Sequence, residues 1–391
     1  MKILHIGKYY PPFSGGIENF MGELLPQLSS DEDSICALVH DHSSGKLAKK
    51  ETINQVQVIR VPTYGRLLYA PVSPAFPVYL QRTIKQFKPD IIHIHMPNTS
   101  AFWLLASPLA RKIPWVIHWH SDVIGAAPNK LVALAYHLYQ PFEYLLLKKS
   151  QKIIATSPHY QQSSSVLKPW RDKTQVIPLA LAEQQITITD KSKHDAEQLW
   201  QQNSHRFLSI GRLTYYKGHR YLIEAMKNLP EGRLIIVGQG EEQQSLQTLI
   251  DELNLNKQVL LSGKLTHSKL HALLASCDIF CLPSIERTEA FGLVLLEAMY
   301  YAKPTLVSDI PGSGMTWVCQ SGSQEKATGI HTRTGDYKQI AKNLKELSND
   351  TARCHSLGEN GKKRLQQHFN LKKIVQDTLK LYQHIYHQSD R

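Results

Sequence analysis

No run in this chain approaches the roughly 20 consecutive apolar residues that a membrane-spanning helix needs, so a helical membrane protein is excluded as a class. Cysteine is scarce: the five present are odd in number and irregularly spaced, which argues against a disulfide framework. Cys277 and Cys281 flank a short apolar run and read as small core residues; no second Cys/His pair has zinc-ligand spacing. The opening Met1-Lys-Ile-Leu-His-Ile-Gly7 is too short for the apolar region of a signal peptide. A cytoplasmic location is therefore expected. There is also no tail of one charge sign. Residues 1–190 carry 19 basic and 13 acidic side chains and residues 191–391 carry 26 and 20, a net +6 in each part.

What is present fits a globular α/β protein. A chain of 391 residues can bury two cores, and 42% hydrophobic with 20% charged residues suits a folded, soluble chain. The even basic excess, +12 in all, suits anionic small molecules or an anionic membrane surface, or belongs simply to a basic soluble protein. It would also suit nucleic acid, but no aromatic-basic interleaving or nucleic-acid motif accompanies it. No nucleic-acid partner is expected.

Lys2-Ile-Leu-His-Ile6 reads as a buried parallel strand, followed by a Pro/Gly loop ending at Gly15-Gly16 and a helix over 17–28. Strand, glycine loop and helix form the first unit of a doubly wound sheet. The two glycines let the backbone approach a ligand closely. They are not G-x-G-x-x-G, and no acidic residue is clearly placed about 20 positions on, so a dinucleotide-binding dehydrogenase loses ground. Further strands are expected at 34–39, 56–60, 90–95, 115–119, 152–156 and 175–177, mostly separated by helical stretches. The segment 64–77, with three prolines, reads as a loop before a helix at 78–87. The stretch 131–149 reads as a helix whose face of Leu134, Leu138, Phe142, Leu145 and Leu146 packs in the core. Membrane contact is the lesser reading of that face. Residues 180–204 turn polar and are the expected linker. Residues 317–334 read as irregular and 337–386 as helical.

Four histidines stand out. His93 with His95 and His118 with His120 are spaced by two, so each pair shares one strand face. A metal site is one reading; apart from Asp122 it lacks a nearby acidic cluster. The other reading separates roles. His120 and Asp122 lie at the carboxyl end of a strand, where open α/β sheets bind ligands, while His93 and His118 lie deeper as core or supporting residues.

The densest chemistry lies in the second half. Gly211-Arg-Leu-Thr-Tyr-Tyr-Lys-Gly218 places Arg212 and Lys217 between a strand and a helix, where two cations can clamp a diphosphate from different angles. The strands before Gly238 and before Lys264-Leu265 also end in glycine loops. Glu289-Ala-Phe-Gly-Leu-Val-Leu-Leu-Glu297 follows an apolar strand and reads as loop then helix. Glu289 is expected in the loop, Gly292 at the helix start and Glu297 about two turns in. Helix-start N–H groups favour phosphate, and a carboxylate beside them suits a polyol carried on that phosphate. A sugar then sits at Glu289, its diphosphate on the helix start and a ribose near Glu297. An ordinary amphipathic helix with surface glutamates remains the other reading.

This stretch resembles the E-x7-E motif of retaining glycosyltransferases of family 4, and Gly211–Gly218 matches their G-R-x(4)-K-G pattern. The resemblance is densest over 207–314 and weaker over 2–122. Ser284-Ile-Glu-Arg-Thr-Glu-Ala-Phe-Gly292 and Trp119-His-Ser-Asp122 are similar to the bacterial mannosyltransferase-like enzymes of surface polysaccharide synthesis. The resemblance implies the GT-B fold, two Rossmann-like parallel-sheet domains facing each other across a cleft. The domains would be 1–183, rejoined by a final helix 372–391, and 204–371, with 184–203 as linker.

It implies a nucleotide-sugar donor and a saccharide or lipid-linked acceptor, the enzyme sitting at the inner face of the membrane. Arg212 and Lys217 would hold the diphosphate, with N–H groups from Ala290, Phe291, Gly292 and Leu293. Glu289 would bind the sugar and Glu297 the ribose. His120 would contact the sugar and stabilise positive charge at the reacting carbon. Gly15 and Gly16 would face the diphosphate and acceptor. Gly238, Lys264 and Leu265 would line the base. The D-x-D metal motif of the other major glycosyltransferase fold is not recognised, so no cofactor or required metal is expected. Two departures stand out: Pro178-Leu-Ala-Leu-Ala182 replaces a glycine-bearing turn, and Ala302 stands where the family often has Gly, a mild departure with no obvious cost to the site. A nucleotide-sugar epimerase or a phosphorylase is the rival on the same fold. The phosphorylase's cofactor-lysine motif is not seen.

Overall fold

The computed structural model describes residues 1–391 except 14, 44–46, 68–69, 124–129, 184–185, 202–204, 324 and 390–391. The chain divides into two compact units, Met1–Leu179 with Leu371–Arg391, and Ala180–Asn370.

The strands of the first unit are β1 (Lys2–Ile6), β2 (Ser34–His40), β3 (Lys49–Ile53), β4 (Val56–Val61), a short hairpin β5 (Arg66–Leu67) and β6 (Ala70–Pro71), β7 (Ile91–Met96), β8 (Trp115–Trp119), β9 (Lys152–Ala155) and β10 (Thr174–Val176). The main sheet runs β10-β9-β8-β7-β1-β2-β4-β3. All its pairs are parallel except β3 with β4. Strand order reverses between β1 and β7, the position at which doubly wound sheets bind ligands. Its central strands are buried on both faces, which is why they are apolar throughout rather than alternating. Among them His5, His93, His95 and His118 are exceptions. The edge strand β3, Lys-Lys-Glu-Thr-Ile, is almost wholly exposed, and its charges protect an open edge. It carries no apolar signal and sequence reasoning missed it, as it missed the hairpin inside the expected loop 64–77. The helices here are α1 (Gly16–Leu28), α2 (Phe76–Phe87), α3 (Trp103–Ala106), α4 (Lys130–Lys149) and α5 (Pro158–Ser163).

The second unit contains β11 (His205–Ile210), β12 (Gly232–Val237), β13 (Val259–Gly263), β14 (Ile279–Leu282), β15 (Thr305–Asp309) and β16 (Gly329–Arg333). They form an all-parallel sheet ordered β13-β12-β11-β14-β15-β16, the order of a dinucleotide-binding sheet, with its reversal between β11 and β14. Its helices are α6 (Asp190–Trp200), α7 (His219–Ala225), α8 (Gln243–Glu252), α9 (His267–Ser276), α10 (Leu293–Tyr300), α11 (Met315–Val318), α12 (Tyr337–Ser348) and α13 (Thr351–His368); α14 (Leu371–Ser389) belongs to the first unit. α12 shows how such helices form. Asp336 caps it by accepting from the Gln339 N–H at 3.0 Å, and Ile340, Ala341, Leu344 and Leu347 make one buried stripe.

Three expectations change. The linker expected at 184–203 contains α6, a helix with a Thr189/Ser192 capping box that buries Ala196 and Trp200 against the second unit. Its polar composition concealed that narrow buried stripe; residues 184–185 and 202–203 lie outside the described residues. The segment 317–334, read as irregular, holds the last two residues of α11 and the edge strand β16. Ala302, in the position where the family often has Gly, sits at φ +51°, a left-handed conformation that costs an L-residue about 1–2 kcal/mol. The substitution is therefore strained rather than cost-free.

Candidate active site

In the second unit the loops after β11, β12, β13 and β14 converge at the carboxyl ends of their strands. Gly218 makes this possible. It lies at φ +67°, and a Cβ there would fall 2.1 Å from the Pro283 carbonyl oxygen, so only glycine lets the loop after β11 touch the loop after β14. The Ile285 N–H donates to the Tyr216 carbonyl at 2.7 Å, and Tyr215 Oη donates to Glu286 Oε1 at 2.7 Å. Gly238 serves the other side: a Cβ there would lie 1.9 Å from the Gly211 carbonyl.

The loop carrying Glu289 is fixed from below. Ser313 Oγ donates to the Glu289 carbonyl at 2.6 Å, and the Gly314 N–H donates to the Ala290 carbonyl at 2.8 Å. Ala290 and Phe291 are buried, Phe291 edge-on to Phe369 with ring centres 5.8 Å apart. With the backbone pinned, the Glu289 side chain forms an ion pair with Lys217 Nζ, and only 11% of the Lys217 and 13% of the Glu289 side chain remain exposed. Burial alone would lower the Lys217 pKa. The charges of Glu289 and Tyr216 and the Glu289 hydrogen bond more than offset that and hold it above the ordinary lysine value. Lys217 is therefore a firmly charged cation. The sequence assigned these residues to different parts of a substrate; in the structure they meet each other.

Arg212 is exposed, with Nη2 3.3 Å from Glu241 Oε2, a surface contact of little strength. Its guanidinium is available to a ligand at little cost. Lys264 is exposed and Leu265 half-buried just beyond β13, and the Gly238 N–H donates to the Gly263 carbonyl at 3.0 Å. α10 begins at Leu293 after Gly292, and no side chain caps it, so its first N–H groups suit an anion. Glu297 is half-buried and is the fifth residue of α10, a little over one turn in rather than two.

In the first unit, Gly15 is the N-cap of α1 and Gly16 its first residue; Ser14 lies outside the described residues. Sequence reasoning missed Glu18. It is buried in the first turn of α1, its carboxylate against Gly15, and burial pushes its pKa above the ordinary value. Asp122 is a structural knot: Trp119 Nε1 and Ser164 Oγ donate to its Oδ1 at 2.9 and 2.8 Å.

The four singled-out histidines gather into one buried cluster, joined by a fifth, His5. His5 pairs with His93 and His95 with His118 in the strand registers, so all five share one face of the sheet. His120 itself is only 6% exposed, more enclosed than a strand-end position suggests. His5 was detectable as the one polar residue inside an apolar strand, where a buried polar group needs a reason. Two sets, His5/His93/His95 and His95/His118/His120, have ring nitrogens close enough to share an ion. The ring planes disfavour one for the second set. His118 lies flat on His120, centres 4.2 Å apart and planes 7° from parallel, so their in-plane lone pairs run side by side rather than converging. Asp31-Glu-Asp33 has literal D-x-D spacing but lies ahead of β2, with Asp33 Oδ1 2.9 Å from the Met1 amino nitrogen and away from the carboxyl ends of the strands.

Residues 190–364 match the family model described as glycosyl transferases group 1, and residues 15–180 match the glycosyl transferase 4-like domain. The chain is 30% identical over 395 residues, 98% of each chain, to the O-antigen chain mannosyltransferase C of Escherichia coli. Among solved structures it is similar to a sucrose-phosphate synthase from Thermosynechococcus elongatus, with TM-score 0.83, 22% identity and 99% of each chain covered. It is also similar to Anabaena Alr3699/HepE in complex with UDP-glucose, with TM-score 0.75, 21% identity and coverage of 98% and 99%. With its two Rossmann-like sheets and a full-length relative at this identity, the chain belongs to the group 1 glycosyltransferases and has the GT-B fold.

Proposed function

We propose that this glycosyltransferase moves a hexose, mannose before others, from a nucleoside-diphosphate sugar to a saccharide or lipid-linked saccharide, with retention of configuration, in surface polysaccharide synthesis. The Lys217–Glu289 pair at the switch point of the second sheet carries this reading. A charged lysine held beside a carboxylate, with Arg212 exposed nearby in sequence and an uncapped helix start after Gly292, offers positive charge for a diphosphate and an acceptor oxygen for sugar hydroxyls. The Escherichia coli relative's name supports mannose and a polysaccharide product, and the Anabaena protein's complex supports a nucleotide-sugar donor.

In this reading Arg212 and Lys217 stabilise the charge that develops on the leaving diphosphate, usually the largest catalytic term. Glu289 orients the sugar, Glu297 the ribose, and His120 is the first unit's sugar contact. The acceptor oxygen attacks the face that the diphosphate leaves, and the departing phosphate oxygen takes the acceptor's proton. A covalent intermediate on the Glu289 carboxylate is the competing route. Thermal denaturation against a nucleotide-sugar panel tests the reading, since a native-state ligand at about 100 times its Kd adds about 2.7 kcal/mol of stability. A rise with one sugar nucleotide is expected. No rise with any, alongside salt-sensitive retention of nucleic acid, would contradict it.

A second feature supports a membrane-bound acceptor. Leu134, Leu138, Phe142 and Leu145 of α4 form an apolar stripe that is exposed, Leu138 to 72%; of the face expected in the core only Leu146 is buried. Exposed Lys148 and Lys149 end the helix. An apolar stripe with flanking lysines suits the interface of an anionic bilayer.

A further inference from the structure

Three of the five clustered histidines lie in a line. His5 Nδ1 is 3.1 Å from His95 Nε2, and His95 Nδ1 is 3.0 Å from His120 Nε2. The ring centres are 5.4 and 5.3 Å apart and the planes differ by 27° and 17°. An imidazole nitrogen lies about 1.15 Å from its ring centre, so in-line hydrogen bonds of this length separate the centres by about 5.3 Å. The rings are therefore joined edge to edge through their hydrogen bonds, not piled on one another. The other two histidines do stack. His93 packs over His5 and His95, and His118 over His120, with Phe20 edge-on to His118 and His120. Every ring is buried and uncharged, because burial drives all five pKa values far below the ordinary histidine value, those of His5 and His118 to about 3.

A neutral imidazole has one donor and one acceptor nitrogen. A chain of three must therefore point its protons all one way or all the other. The two ends are unlike. His5 Nε2 and His120 Nδ1 are both buried, and neither has a hydrogen-bond partner among the described residues. His5 is fully enclosed, whereas His120 keeps 6% exposure at the carboxyl edge of β8, the end of the sheet at which such folds bind ligands. A buried N–H without a partner is rarer than an under-satisfied acceptor. The N–H then belongs on His120 Nδ1, at the end where a ligand oxygen can accept it, and the bare lone pair on the enclosed His5 Nε2.

We propose that His5 and His95 are positioning residues for glycosyl transfer: through the chain they fix His120 as the Nδ1–H tautomer, so that it presents a donor to a substrate oxygen. His5 Nδ1–H donates to His95 Nε2, and His95 Nδ1–H donates to His120 Nε2. A free neutral histidine favours the Nε2–H form, so the chain imposes the less common one. The substrate role rests on the transfer reading above; the tautomer does not.

The test is nitrogen NMR of the full chain labelled with 15N-histidine, His120 being assigned by comparison with His120→Gln. Wild type should show His120 protonated at Nδ1 and bare at Nε2. His95→Phe removes the donor, and His120 should revert toward Nε2–H, with kcat falling at least tenfold and nucleoside-diphosphate affinity within twofold of wild type. His95→Asn keeps an amide N–H near the position of Nδ1, so it should restore both the tautomer and most of kcat. Wild-type His120 protonated at Nε2 would overturn the proposal. So would His95→Asn behaving like His95→Phe, or histidine resonances that move when a stoichiometric bound metal is stripped. If His95→Phe does not fold, the wild-type spectrum alone decides the polarity. The stated tautomers in a protein that transfers no sugar would overturn the transfer reading and leave the chain standing.

Discussion

Lys217 and Glu289 form a largely buried ion pair, one carried by the loop after β11 and the other by the loop after β14, on either side of the reversal in strand order. In the proposed reading a donor entering this site would exchange part of that pairing for its own phosphate and hydroxyls. The pair is a structural bond, and the proposed reading makes it a preformed substrate cradle as well. Breaking it from one side leaves a mostly buried charge without its partner.

Glu289→Gln should therefore lower the unfolding free energy by about 3 kcal/mol, the lower end for a broken buried pair. Adding Lys217→Met should recover part of that loss, because the stranded cation is gone. Urea unfolding of both variants and wild type checks this. Equal midpoints for Glu289→Gln and wild type would mean that the pair contributes nothing to the fold.

Arg212 is exposed and weakly paired, so its removal should leave stability unchanged. Arg212→Ala should weaken nucleoside-diphosphate binding by about 1.5–3 kcal/mol, the scale of a hydrogen bond to a charged group. Glu297→Gln should weaken the free nucleoside diphosphate as well, whereas Glu289→Gln should mainly reduce turnover. Calorimetric titrations beside steady-state rates separate these outcomes. Unchanged nucleotide affinity in Arg212→Ala would remove it from the diphosphate site.

The alternation of strands and helices was legible because strands buried on both faces are mostly apolar, as in Ile279–Leu282. The loops bearing Arg212, Lys217 and Glu289 were legible from glycine spacing and charge. Their pairing was not: contact between Lys217 and Glu289 arises from the strand-order reversal, which no local pattern encodes. The α4 stripe misled for a different reason. Leucines at helical spacing look the same whether or not another element covers them, and here Leu134, Leu138, Phe142 and Leu145 stay exposed. The helix α6 was hidden in polar composition, since only Ser192, Ala196 and Trp200 are buried along it.

Acid should destabilise the first unit through its histidines. For His5 and His118 the folded pKa is about 3 against about 6.5 unfolded. The unfolded chain binds more protons below pH 6.5, so this stability is complete above 6.5 and is lost as pH falls toward 3. Glu143, raised to about 8 by burial, acts in the opposite sense above pH 4.5 and offsets part of the effect. His118→Phe isolates one histidine. Between pH 6 and 4 its stability should fall less steeply than wild type by about 1.4 kcal/mol per pH unit. Parallel curves would show that His118 charges freely in the folded state.

The α4 stripe predicts binding to vesicles. The full chain should float with vesicles rich in anionic lipid and be released by salt, and Leu138→Ser/Phe142→Ser should reduce flotation at least fivefold without changing nucleotide binding. Equal flotation of the variant would place any membrane contact elsewhere.

The configuration of the transferred sugar tests the central claim most directly. The enzyme would be incubated in EDTA with the α-configured nucleotide sugar that stabilises it and a lipid-linked saccharide acceptor, and the product's anomeric centre read by proton NMR. The account predicts an α-linked product, one nucleoside diphosphate released per sugar transferred, and a rate unaffected by the chelator. A β-linked product, or transfer that stops in EDTA and returns with a divalent ion, would contradict it.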